Sequence, residues 1–389
     1  MRRAAMLCVA LLLACGCGPA ATRPPAKPPV VRAYPAFDAE RARTDRGLVV
    51  EAHGGTLSEV LVYQRGEPVP GRLDGAHTTW RSDWTLMPDT EYTVTARAAG
   101  ASGPATVAMG RFRTRPVERT LEIASTTPLP GETVGTGMPV IIDFDTPVAD
   151  KAAVERALEV VPEIPVEGAW RWTSDTRVVY RPRRFWAPRQ HVTVTAHLAG
   201  VRAGAGVHGT ADSTFVFTVG RDQSSSIDTR THQMVVRRDG RIVRQMAISA
   251  GMATTREYTT TSGVHLTMDK GDPVRMVSPG RVEGEPGYYD ELIGHAVRIS
   301  DSGEYVHAKD NVWAQGRENV SHGCINSRPD QAAWFYDTSL RGDPVTIIGT
   351  DRALEWDNGW GFWQLPWEKW RQGSALPSAD SAGGLVPQR

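Results

Sequence analysis

The sequence predicts a mostly β protein built from several domains. Three observations carry this. Between residues 45 and 220, short runs of Val, Thr, Tyr and Trp alternate with polar residues and are broken by Gly and Pro. A pattern recurs inside that stretch at an offset of about 100 residues, the size of an immunoglobulin-like sandwich. Beyond residue 220 more strand-like runs follow, interrupted by one convincing helix.

The 389 residues allow two to four domains at ~100–200 residues each. Lys+Arg is 44 and Asp+Glu is 44, so the formal charge is zero. Only five of those cations are Lys, and no basic stripe occurs, which argues against a nucleic-acid partner. A hydrophobic share of 40% and a charged share of 23% describe a globular chain.

The N-terminus reads as a signal peptide over residues 1–14. Met1-Arg2-Arg3 is basic and Ala4 to Ala14 is apolar. That apolar run falls short of the ~20 residues a bilayer span needs. Leu12-Leu13-Ala14-Cys15 resembles the lipobox of bacterial lipoproteins, which implies cleavage before Cys15 and a lipid on it. Cys17 is a second candidate. The implied location is the outer face of the cytoplasmic membrane, facing the cell wall. Residues 15–44 are then an anchor and a proline-rich, semi-rigid spacer.

The repeat defines two tandem sandwiches, 45–117 and 118–220. One copy carries Trp80-Arg81-Ser82-Asp83 and then Glu91 to Ala96. The other carries Trp172-Thr173-Ser174-Asp175 and then His191 to Ala196. A short helix is predicted after Asp150, its N-cap, through Leu158. Neither copy shows a cluster suited to catalysis, so both read as spacer or docking modules.

A third domain spans 221–350. Gln233 to Val236 and Arg241 to Met246 flank an Asp239-Gly240 turn, a hairpin signal. Strands are predicted at His265–Met268, Ala296–Ile299, Tyr305–His307 and Val345–Ile348. The helix is predicted with Ser327 as cap, Pro329 near its first turn, Gln331 to Leu340 as its body, and Gly342 and Pro344 as its stop. The remaining segment, 351–389, holds five of the twelve Trp. Trp363, Trp367 and Trp370 lie at i, i+4 and i+7, the face of a helix. That face is expected to clamp onto the third domain, with a sugar-stacking platform as the alternative. The last fifteen residues read as disordered.

The chemistry concentrates around one thiol. Cys8, Cys15 and Cys17 lie in or beside the leader, which leaves Cys324. It sits in Ser321-His322-Gly323-Cys324-Ile325-Asn326, and Ser321 lies fourteen positions beyond His307. An imidazole near a thiol can take its proton and leave a thiolate–imidazolium pair. Backbone amides at Gly323 and Cys324 could receive the oxyanion of an attacked carbonyl, and Gly323 lets substrate approach. Other readings stand beside this one. His307, His322 and Cys324 could hold zinc, but a fourth ligand is missing and the spacing fits no common module. A lone Cys is often buried and inert. Papain-like peptidases place the Cys before the His, the reverse of the order here.

His307 with Ser321-His322-Gly323-Cys324-x-Asn326 resembles the signature of the L,D-transpeptidase (YkuD) family. Two N-terminal immunoglobulin-like domains, a lipobox and Pro366-Trp367-Glu368-Lys369-Trp370 resemble its mycobacterial-type lipoprotein subgroup. The resemblance implies a YkuD-type catalytic domain that acts on peptidoglycan stem peptides without a cofactor or metal. In the family, Cys attacks the third stem residue and expels D-Ala. The amine of another stem, commonly of diaminopimelate, resolves the acyl-enzyme into a 3→3 link. Carbapenems acylate the same thiol. Carried over by motif, Cys324 is the nucleophile and His307 the general base, oriented by the Ala308 carbonyl. Gly323 serves the oxyanion, His322 shapes the site, and Tyr289 contacts substrate and supports the oxyanion, with Tyr288 one residue away as the other candidate. Ser302, Gly303, Ser321 and Asn326 contact substrate. Residues 254–290 are the expected lid. A hydrolase of the same fold and a non-catalytic wall-binding lipoprotein are the alternatives.

Overall fold

The computed structural model describes residues 27–100, 104–278 and 280–377. The leader, Cys15 and Cys17 lie outside the described residues, as does most of the last fifteen-residue segment.

The first sandwich begins earlier than its composition indicates. Val30–Tyr34 pairs antiparallel with Val49–His53, so the spacer assigned to 15–44 ends near Pro29. Proline has no N–H for a ladder, so the strand starts where the prolines stop. Its two sheets run Val30–Tyr34, Val49–His53, Thr79–Ser82, Gly71–Leu73 and Glu67–Pro68, Thr56–Gln64, Glu91–Ala99, Thr106–Arg113. The second sandwich repeats this plan. One sheet orders Ile123–Thr127, Val140–Phe144, Arg177–Pro182 and Gly168–Trp172. The other orders Thr133–Val134, Ser213–Val219, Gln190–Ala196 and Leu158–Pro162.

The repeat is real, but the Trp-x-Ser-Asp match is out of register. Trp80 lies on a strand flanked by Val49–His53 and Gly71–Leu73. The strand so placed in the second sandwich is Arg177–Pro182, where Tyr180 is buried. Trp172 ends the neighbouring strand, and Ser174-Asp175 form the turn that follows. The short helix is Lys151–Arg156, and Asp150 caps it by accepting from the Ala153 amide. The sandwiches dock directly. Trp84 stacks on His197 at 3.6 Å, and Thr44 and Thr85 donate to the carbonyls of Gly200 and Ala199.

The third domain is a nine-stranded sheet. Its order is Gly263–Leu266, Pro344–Ile348, Gln223–Asp228, Gln233–Arg238, Arg241–Ser249, Ile325–Ser327, Tyr305–Ala308, Ala296–Arg298 and Lys270–Gly271. Tyr305–Ala308 and Ile325–Ser327 are parallel neighbours. Parallel strands cannot be joined by a tight turn and need a crossover of a dozen or more residues. Residues 309–324 are that crossover, which accounts for the distance between His307 and Cys324 along the chain. The helix is Pro329–Thr338, with Pro329 in its first turn. Ser327 does not cap it. That residue is a buried strand position opposite Ala308, and the cap position falls to Arg328. Phe335 plugs the helix into a core containing Val306 and Ile325. Gly342 sits beyond the helix at φ +87°, where a Cβ would lie 2.7 Å from Met138 of the second sandwich. The amides of Gly135 and Gly137 donate to the carbonyls of Arg341 and Gly342, so backbone meets backbone across this boundary.

The C-terminal segment is not one helix, and Trp363, Trp367 and Trp370 do not clamp onto the third domain, although Trp360 lies under the Arg341 guanidinium of that domain at 5.2 Å. A 3-10 turn, Gly361–Gln364, is followed by Pro366 and a short helix, Trp367–Arg371. Pro366 lacks the N–H needed to run a helix through it. Those three side chains pack on the second sandwich instead. Trp370 is fully buried and donates to the Ala169 carbonyl at 2.9 Å, and Trp363 donates to that of Gly137. The Arg181 guanidinium lies over Trp363, Trp367 and Trp370 at 4.8, 5.4 and 4.8 Å. Gln364 donates to the Val264 carbonyl, tying this strap to the edge of the third-domain sheet.

Candidate active site

His307 and Cys324 line one cleft of about 500 Å³. Their strands put them there. His307 stands opposite Asn326, and Cys324 immediately precedes Ile325, the partner of Val306. Side chains alternate along a strand, so Cys324 and Asn326 share a face with Tyr305 and His307.

The His307 ring is nearly buried and its Nδ1 lies 2.8 Å from the Ala308 carbonyl. A carbonyl only accepts, so Nδ1 carries the proton and Nε2 keeps a lone pair. Burial pushes His307 down to about 4, so the ring is neutral at physiological pH. The Cys324 thiol donates to the Gly303 carbonyl at 3.5 Å. Burial pushes it up to about 12, against the pull of a backbone hydrogen bond from Tyr305. The cleft therefore holds a protonated thiol and a neutral imidazole. Desolvation penalises both members of the thiolate–imidazolium pair expected from the sequence and so favours the neutral form of each group.

The turn that presents Cys324 is closed from within. Ser321 Oγ donates to the Cys324 carbonyl at 2.6 Å and accepts from the Gly323 amide at 3.1 Å. The Ser321 hydroxyl is thus used by the loop, although the residue lines the cleft. The Gly323 amide, expected to serve an oxyanion, is occupied by that bond. Gly323 has φ +128°, a region L side chains rarely adopt, and its Cβ would meet nothing closer than 3.9 Å. Conformation rather than space requires glycine here. Thr260 Oγ1 donates to the Gly323 carbonyl at 2.7 Å and pins the turn from the other side.

His322 stacks on Tyr258 at 4.3 Å and lies 5.3 Å from Tyr289. It lines the cleft wall. Burial and Arg281 both lower its pKa. Tyr289 lines the cleft and Tyr288 does not. Burial raises the Tyr289 pKa, with Cys324 the next cause. Ser302, Gly303 and Asn326 line it too. The Ser302 amide donates to Asn358 Oδ1, and Asn358 Nδ2 donates to the Ser302 hydroxyl. The lid assignment of 254–290 holds only at its ends. Glu257, Tyr258 and the ribbon Val274–Val277 with Asp290–Ile293 border the cleft. Gly263–Leu266, in between, is an edge strand of the main sheet. Among the described residues, no group of three or more His, Cys, Asp or Glu is placed to hold a metal ion.

Residues 222–347 match the L,D-transpeptidase catalytic domain family, and residues 39–202 match the bacterial Ig domain family. The chain is 35% identical to L,D-transpeptidase 2 of Mycobacterium tuberculosis over 336 residues, covering 85% of this chain and 81% of that protein. It is also 35% identical to L,D-transpeptidase 5 of the same species, covering 85% of this chain and 73% of that protein. This chain belongs to the L,D-transpeptidase family. A solved structure of the LD transpeptidase LdtMt1 in complex with imipenem aligns with a TM-score of 0.51 and 33% identity, over 58% of this chain and 98% of that one.

Several parts of this L,D-transpeptidase's site had no sequence signal. Thr260 and Asn358 act through backbone groups and lie far along the chain from Cys324. Glu257 and Arg281 form a two-bond ion pair beside Tyr258, at 2.8 and 3.0 Å.

Proposed function

We propose that this enzyme joins peptidoglycan stem peptides through 3→3 links. His307 Nε2 takes the Cys324 proton as sulfur attacks the carbonyl of the third stem residue. The proton passes to the departing D-Ala amine, and a thioester remains. An amine from a second stem then attacks, loses its proton to His307, and releases the thiol. The observation that carries this reading is the orientation of His307, its Nε2 lone pair left for proton transfer in the cleft that holds Cys324. Incubation with a disaccharide-tetrapeptide, read by mass spectrometry, tests it. A dimer lacking one D-Ala is the expected product. Tripeptide alone would make the enzyme a hydrolase, and unchanged substrate would leave a wall-binding protein.

The same thioester chemistry supports acylation by carbapenems, whose strained carbonyl presents the same electrophile. We also propose lipid attachment at Cys15, which would hold the sandwiches and the cleft outside the cytoplasmic membrane. The basis is Leu12-Leu13-Ala14-Cys15 followed by prolines. Cys15→Ala is expected to leave the precursor uncleaved or to release the protein from membranes. Normal processing and membrane fractionation of that variant would rule the lipobox out.

A further inference from the structure

Behind the thiol lie three buried side chains with no part in the chemistry above: His265 at 0%, Thr261 at 1% and Glu304 at 4% exposure. Both ring nitrogens of His265 face carbonyl oxygens. Nδ1 is 3.1 Å from the Ile299 carbonyl, and Nε2 is 3.0 Å from that of Thr261. Carbonyls only accept, so this geometry suits an imidazole that donates from both nitrogens, and a ring with two N–H groups is a cation. The counter-charge is at hand. Glu304 accepts from the Thr261 amide and from the Thr261 hydroxyl, each at 2.7 Å. The hydroxyl, having spent its proton on Glu304, presents its lone pairs to His265 Nε2 at 3.3 Å.

We propose that His265, Thr261 and Glu304 form a buried imidazolium–hydroxyl–carboxylate bridge that positions the nucleophile, with His265 and Glu304 as positioning residues. The bridge is fastened to both sides of the thiol. Glu304 lies between Gly303, whose carbonyl receives the thiol, and Tyr305, whose backbone hydrogen-bonds it. The Ile299 amide donates to the Glu304 carbonyl, and His265 holds the Ile299 carbonyl, so the turn 299–304 is gripped at its base. On the other side, Thr260, adjacent to Thr261, holds the Gly323 carbonyl. Burying two charges is tolerated only when each is paired and hydrogen-bonded, and here each is. Loss of one member leaves its partner as an unpaired buried charge, and the turn beside Cys324 must shift to relieve it.

The inference rests on Cys324 being the acylated nucleophile, but its first test does not. Nitrogen-15 NMR of the full-length enzyme, with labelled imidazoles, is expected to show two protons on the His265 ring at neutral pH. In Glu304→Gln one of them is expected to be lost. A single ring proton in the parent enzyme overturns the proposal. The second test is the rate of carbapenem acylation, followed by intact mass. His265→Gln is expected to slow it tenfold or more. The double variant His265→Gln/Glu304→Gln removes both charges and is expected to recover most of that loss. An unchanged rate in His265→Gln, or a double variant no faster than His265→Gln, overturns the positioning role. If the single variant fails to fold, the spectrum of the parent enzyme decides alone. If the parent enzyme is not acylated at all, the proposed function fails, and the NMR result still decides whether the charge bridge exists.

Discussion

Replacing His307 by alanine is expected to slow carbapenem acylation of Cys324 by about 10²–10⁴-fold, the usual contribution of a general base. The thiol cannot ionise unaided, because burial holds it at about 12. At neutral pH the free thiolate is then a minute fraction, and His307 has to take the proton as sulfur attacks. Cys324→Ser should form no adduct, since a hydroxyl is much harder to deprotonate. The pH profile carries the same signature. His307 works only when neutral, and burial keeps it neutral down to about 4. Acylation by the parent enzyme should therefore stay level through neutral pH and fall as pH drops through about 4, below the ~6.5 of an ordinary histidine. In His307→Ala the rate should instead climb roughly tenfold per pH unit, tracking the thiolate. Intact-mass time courses across pH check both curves. A parent profile falling near 6.5, or an unchanged rate in His307→Ala, would remove the neutral base from the mechanism.

That Cys324 and His307 would share one cleft was legible from their residue types and from a spacing that a parallel crossover accommodates. The charge state of the two groups was not legible, since it depends on burial that a motif does not display. Glu304 and His265 were passed over for a related reason. A polar residue on an edge strand or in a turn reads as solvent-facing, and only the packed domain shows that both are buried and meet through Thr261. The tandem sandwiches were visible as a repeat, yet the Trp-x-Ser-Asp match misassigned Trp172 to the place of Trp80. Strand pairing, not local similarity, gives Tyr180 that place. Trp363, Trp367 and Trp370 do gather on one side, around Arg181, but across a turn and a separate short helix rather than along one helical face. The surface they meet was beyond the reach of periodicity, because a pattern records that a face is buried and not against what.

Trp370→Ala is expected to cost about 3–5 kcal/mol, the range for deleting a large aromatic from a core. Trp370 is fully buried, packs 5.6 Å from Phe362, and donates its indole N–H to Ala169. Its removal opens a cavity and strands the Ala169 carbonyl. It also takes one wall from Arg181, whose guanidinium is buried enough that desolvation lowers its pKa to about 10. Trp370→Phe keeps most of the ring and loses the hydrogen bond, so it should cost about 1–3 kcal/mol. Denaturant unfolding of the two variants separates packing from hydrogen bonding. A loss below about 1 kcal/mol for Trp370→Ala would show that the strap is peripheral.

The strap also sets an order of events during synthesis. The last strand of the second sandwich ends at Val219, yet its core stays open until Trp360, Phe362 and Trp370 are made about 140 to 150 residues later. A nascent chain therefore holds an incomplete sandwich while the whole nine-stranded sheet emerges. Domains usually mature one after another as they leave the ribosome. Here the second and third are completed together, by the same final segment. A chain cut short before Trp356 would carry the entire Cys324–His307 pair and still lack the side chains that complete the core of the module beneath it.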